Sequence, residues 1–168
     1  MLTGSEMAVV DANAEAVGVP RKQLMESSGN AVARAVREHV DPGASVTVVA
    51  GRGNNGGDAL VAARFLDDYD CRILLLGRPE AITTDISRAN WDALQSGDYP
   101  TEQVRDASQV DLGDPDLAVD AMLGTGISGA LREPAATAAA AMNQSGADRK
   151  STRLNSSHRS LSRMPSSA

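Results

Sequence analysis

The residues most able to do chemistry stand at the end of a short apolar run. Gly51-Arg52-Gly53-Asn54-Asn55-Gly56 fits the G-x-G-x-x-G pattern and follows Ser45-Val46-Thr47-Val48-Val49-Ala50 directly. Between a strand and a helix, such glycines let the backbone turn tightly and approach a pyrophosphate, while the amides of the helix N-terminus point at the anion. A nucleotide or dinucleotide is the natural ligand, and a glycine-rich turn without a ligand is the alternative. The motif runs on into Gly57 and Asp58, giving more polar side chains than a phosphate cradle needs. Amide, carboxylate and carbonyl oxygens are hard donors suited to an alkali or alkaline-earth cation. By residue type alone, Asn54 and Asn55 equally suit left-handed turn positions, and Asp58 a helix cap.

A second group lies further along. Asp120 interrupts the apolar run Leu117–Leu123, where a carboxylate is costly unless paired, hydrogen-bonded by backbone amides or bound to a cation. The run leads into a second glycine-rich loop, Gly124-Thr125-Gly126-Ile127-Ser128-Gly129-Ala130. A nicotinamide dehydrogenase would carry an acid at the end of its second strand to hold the ribose hydroxyls. Here the run Cys71–Leu76 is followed by Gly77 and Arg78. His39 falls near a helix end and His158 near the C-terminus, neither with a partner suggesting a catalytic pair. Cys71 reads as a small buried hydrophobe.

These residues need a scaffold, and the apolar spacing supplies one. Met7, Val10, Ala14 and Val17 recur at helical spacing before Gly18, and a second helical pattern runs from Pro20 to Asp41-Pro42-Gly43. Ser45–Ala50 and Cys71–Leu76 read as strands buried on both faces, with a helix over Asp58–Leu66 between them, which makes a βαβ unit. Thr84–Leu94 reads as a helix, Val104 marks a short strand and Leu117–Leu123 a longer one, and Pro134 opens an Ala-rich helix through Met142. The expected architecture is α/β: a Rossmann-like open, mostly parallel sheet with helices on both faces, preceded by two N-terminal helices. The ligand should lie at the carboxyl ends of the strands.

The 168 residues suit one domain, with a core of aliphatic residues and alanine, since only Phe65, Tyr69, Trp91 and Tyr99 are aromatic. One cysteine excludes an internal disulfide. No apolar run approaches a membrane span, and the N-terminus lacks the basic start of a signal peptide, so a cytoplasmic location without membrane contact is expected. The net charge is −6, but the last twenty residues hold five basic residues and no acid. The preceding 148 hold twice as many acids as bases, which argues against nucleic acid as a partner. After Gly146 no apolar periodicity survives, and seven of the last twenty residues are serine. Residues 148–168 are therefore expected to be disordered, either as a basic tail or as an artefact, since RKSTRLNSSHRSLSRMPSSA resembles a translated sequencing adapter. The domain is expected to be 1–147.

GRGNNGGDALVAAR, with EMAVVDANAEAVGVPRKQLMESSGNAVARAV before it and AVDAMLGTGISGALREP after it, resembles the NAD(P)H-hydrate epimerase family over about residues 3–146. The resemblance implies an isomerase of nicotinamide nucleotide repair that interconverts the R and S epimers of NADHX and NADPHX and binds potassium. It implies that Asn54, Asn55, Gly56, Gly57, Asp58 and the loop Gly124–Ala130 hold the hydrated cofactor, and that Asn55 and Asp120 ligate the potassium ion. It further implies a homodimer as a candidate assembly and an NAD(P)HX dehydratase domain as a candidate fusion. The family's V-D-x-P-S-G motif, which carries the expected acid/base Asp and a further potassium ligand, is absent from these residues. Little epimerisation is therefore expected of this chain alone. An NAD(P)-dependent oxidoreductase and a non-catalytic nucleotide-binding module are the competing readings.

Overall fold

The computed structural model describes residues 4–124, 129–145 and 148–151. Helices α1 (Gly4–Ala16) and α2 (Arg21–Arg37) precede β1 (Ser45–Ala50), α3 (Asn54–Arg64), β2 (Asp70–Leu76), α4 (Asp85–Ser96), β3 (Thr101–Val104), β4 (Leu117–Ala121), α5 (Ala135–Gln144) and β5 (Asp148–Ser151). The strands form one sheet in the order β3-β2-β1-β4-β5. Every pairing is parallel. The expected Rossmann-like α/β architecture is therefore present, with the order changing direction between β1 and β4.

Alternation along the strands divides the core. Val46, Val48 and Ala50 of β1 and Cys71, Ile73 and Leu75 of β2 join Leu117, Val119 and Ala121 of β4 in one cluster with α2, α3 and α4. Val49, Leu74, Ala118 and Met122 face the other way, against Ala138 and Met142 of α5. Helices thus cover both faces, as continuous apolar strands require. At the amino ends of the strands, Asp116 accepts hydrogen bonds from the backbone N–H and hydroxyl of Ser45. That contact fixes the start of β4 beside the start of β1.

Three features are not carried by the apolar pattern of the sequence. The α1 helix forms, but Val9, Val10 and Val17 are 59%, 43% and 80% exposed, while Asp11 and Ala14 are the half-buried positions of the helix. Of the spaced apolar residues, Val10 and Val17 stay in solvent and Ala14 is half-buried, so the spacing does not mark a continuous buried stripe; the side chain of Met7 lies outside the described residues. Within the acid-rich segment Asp67–Asp70, Tyr69 is buried and donates its hydroxyl to the carbonyl of Val40. Finally, Asp148–Ser151 pairs with Leu117–Asp120. Strand pairing uses backbone groups, so the edge of β4 accepts a segment with no apolar pattern. The rest of the expected disorder, over 152–168, lies outside the described residues.

Cys71 is buried at the start of β2, and burial, reinforced by the neighbouring Asp70 charge, pushes its thiol up to about 12. At pH 8 almost no thiolate exists to react. Iodoacetamide should leave Cys71 unlabelled in the folded protein and label it in denaturant; comparable labelling in both states, read by mass spectrometry, would contradict this packing.

Candidate functional site

The glycine-rich turn is held against the end of β4 by backbone contacts. The Gly51 N–H donates to the carbonyl of Ala121 at 3.0 Å. A Cβ on Gly51 would stand 1.9 Å from the carbonyl oxygen of Met122, and one on Gly56 would stand 2.0 Å from that of Gly51. Any side chain at either position would push the turn off the sheet. At the middle glycine, Gly53, a Cβ would meet nothing within 4 Å, so the backbone there opens onto space that a ligand can enter.

Helix α3 begins earlier than its sequence suggests. Asn54, Asn55, Gly56 and Gly57 lie in its first turn, behind an extended Gly53 cap that offers no side-chain hydrogen bond. The alternative roles of left-handed turn residues for the asparagines and helix cap for Asp58 are thereby excluded. Instead, Asn54 Oδ1 accepts from the hydroxyl of Thr84 at 3.1 Å. Thr84 in turn caps α4 by accepting from the Ser87 N–H. Asn55 donates through Nδ2 to the carbonyl of Leu123 at 3.0 Å, which bridges α3 to the segment after β4 and leaves Oδ1 as an acceptor.

Asp120 pairs in register with Val49 and is half-buried. Its Oδ1 accepts from the N–H of Met122 at 3.1 Å, which holds the carboxylate at the carboxyl end of β4. Asn55 and Asp120 thus serve the same strand end, three residues apart through Leu123. Gly124 follows, half-buried; Gly129, with φ +99°, and Ala130 are exposed. Thr125, Gly126, Ile127 and Ser128 lie outside the described residues. Among those described, no group of three or more His, Cys, Asp and Glu could hold a metal. A cation at this strand end would rest on amide, carbonyl and single-carboxylate oxygens.

Asp58 follows Asn55 by three residues on α3. It is half-buried, and burial, with the charge of Asp11 on α1 adding to it, pushes its carboxyl up to about 7. The residue sits where α3 meets the N-terminal helices. Thr84, Ser87 and the Leu123 carbonyl are site components that sequence reasoning missed. The T-x-x-S spacing of an α4 cap was the one available signal for the first two.

The family model of the YjeF-related protein N-terminus matches residues 21–154. The chain is 42% identical over 153 residues to the bifunctional NAD(P)H-hydrate repair enzyme Nnr of Methanothermobacter thermautotrophicus, covering 87% of this chain and 29% of that protein. It is 40% identical over 132 residues to the NAD(P)H-hydrate epimerase of Cenarchaeum symbiosum, covering 77% of this chain and 61% of the relative. The crystal structure of the yeast protein ynu0 superposes with a TM-score of 0.73 at 25% identity, over 92% of this chain and 70% of that one. The chain therefore spans less than a third of the bifunctional relative and about three fifths of the epimerase it matches.

The raised Asp58 carboxyl sets a pH dependence of stability. Its ordinary value is 3.8, so between about pH 4 and 7 the folded protein holds a proton that the unfolded chain has released. The contribution of Asp58 therefore falls as pH rises through that window and is level above it. Asp58→Asn should remove this slope and raise Tm at pH 8, at roughly 2–4 °C for each kcal/mol relieved. Calorimetry at pH 5 and 8 checks it; an unchanged difference between the two pH values would show that Asp58 is not the group responsible.

Proposed function

Because the chain belongs to the YjeF-related N-terminal family, we propose that it is the substrate-binding part of an NAD(P)H-hydrate epimerase, which interconverts the R and S epimers of NADHX and NADPHX. The observation that carries this reading is the junction of Asn55 with the carbonyl of Leu123. It gathers a glycine-rich helix N-terminus, an amide oxygen and the Asp120 carboxylate at one end of a parallel sheet, where doubly wound folds bind dinucleotides. The substrate is then a damaged cofactor held in the crevice, and the first-turn amides of α3 meet its pyrophosphate through the open backbone at Gly53.

Potassium fits the same strand end. Asn55, with Nδ2 committed to Leu123, would offer Oδ1, and Asp120 would offer its carboxylate; these are hard oxygen donors. A bound cation supplies positive charge beside the substrate. The residues of this chain bind and orient: Thr84 fixes the Asn54 amide, Asn55 ties the start of α3 to the segment after β4, and the Met122 amide holds the Asp120 carboxylate. Gly56, Gly57, Asp58 and the Gly124–Ala130 loop, including Thr125, Gly126, Ile127 and Ser128, complete the proposed substrate site. Making and breaking bonds at a stereocentre calls for a positioned acid/base contributing about 10²–10⁴-fold. The V-D-x-P-S-G segment that would provide one is not among these residues. The names of the relatives speak of a bifunctional repair enzyme; a following NAD(P)HX dehydratase domain and a homodimer belong to this same proposal.

Two measurements check it. NADP+, a stable stand-in for the substrate, should bind this chain more tightly in potassium than in an equal concentration of choline chloride, and Asn55→Ala and Asp120→Asn should each erase the difference. Interconversion of R- and S-NADHX, followed by chromatography, should be at least about tenfold faster for a chain that continues into the V-D-x-P-S-G segment than for this one. Binding indifferent to potassium would remove the cation site, and equal rates would assign proton transfer to residues present here.

A further inference from the structure

Beyond the general reading as a site for both hydrated cofactors, on which this inference rests, two arginines mark one end of the crevice. Arg52 is the second residue after β1 and Arg78 the second after β2, on adjacent parallel strands. The Arg52 side chain crosses the end of β2, its Cδ standing 2.9 Å from where a Cβ on Gly77 would lie. Its backbone is pinned there, since its carbonyl accepts from both the N–H and the hydroxyl of Thr83, at 2.9 and 3.1 Å. Gly77 takes φ +115° and passes the chain directly to Arg78. Both arginines are exposed, and neither enters an ion pair among the described residues. Arg105, after β3, is set apart from them, because its guanidinium bonds to Gln103.

In a doubly wound fold the pyrophosphate rests on the first helix and the adenosine ribose extends over the end of β2. A free 2′-hydroxyl there is held by a carboxylate, while a 2′-phosphate is held by arginine. The end of β2 carries Gly77 and Arg78. The nearest acid in sequence, Glu80, stands on the short 3-10 turn Pro79–Ala81 beyond them and is exposed. Two unpaired guanidiniums in a protein of net charge −6 make a local reversal of sign, suited to a phosphate dianion through charge-assisted, forked hydrogen bonds. We propose that Arg52 and Arg78 select the 2′-phosphate of the adenosine ribose, so that this protein takes NADPHX in preference to NADHX.

The test is calorimetric titration of the full chain with NADP+ and NAD+ at one fixed ionic strength, with thermal melts to establish that each variant is folded. Wild type should bind NADP+ at least about tenfold more tightly than NAD+. Arg52→Gln with Arg78→Gln should abolish that margin by weakening NADP+ while NAD+ stays within about twofold. Arg78→Gln alone should remove part of it. Arg34→Gln, which deletes the same charge from the exposed side of α2, should leave the margin intact and so exclude a general charge effect. Equal wild-type affinities, or an equal loss for both nucleotides in the double variant, would overturn the selection while leaving dinucleotide binding standing. Binding of neither nucleotide by wild type would overturn both.

Discussion

The carboxyl end of the sheet depends on how closely the first glycine-rich turn approaches β4. With the Gly51 N–H on the Ala121 carbonyl and no room for a Cβ against Met122, β1 delivers the chain to α3 at a fixed height above its neighbour. Only then can Asn55 reach the Leu123 carbonyl and place an amide oxygen at the end of the strand that carries Asp120. The Ser45–Asp116 contact at the opposite end of the same two strands holds their register. A slip by one residue would turn Asp120 to the other face of the sheet.

Helix α3 joins this rigid junction to a softer one. Its first turn faces the strand ends, and Asp58, one residue past the paired glycines, faces α1. That helix presents Asp11 to the domain while Val9, Val10 and Val17 stay in solvent. Burial disfavours the charged Asp58 carboxylate and the nearby Asp11 charge adds to that cost, so the proton held by Asp58 relieves both. The helix that begins at the candidate site thus ties its first turn to the weakest packing among the N-terminal elements.

Much of this was legible in the sequence because two signals were local and strong. β1, β2 and β4 are mostly apolar runs, and a glycine pattern directly after the first of them has few structural meanings. The start of α3 was misplaced because Asn and Gly are poor helix formers; contacts from Thr84 and Leu123, distant in sequence, hold them in the helix. The spacing predicts the α1 helix, which forms, but spacing reports which residues share a face and not how much of that face the domain covers. β5 escaped notice because a short backbone ladder on an edge needs no apolar pattern. The support that Thr84 and Ser87 give to Asn54 depends on a contact across thirty residues that no local pattern encodes.

The central claim is that the ligand meets the junction of the glycine-rich turn with the end of β4. A titration of the isotopically labelled protein with NADP+, followed by amide chemical shifts, tests it most directly. The largest changes should fall on residues 51–57 and 121–124. Changes concentrated at the opposite end of the sheet, around Arg37–Ala44 and Asp116, would contradict the account.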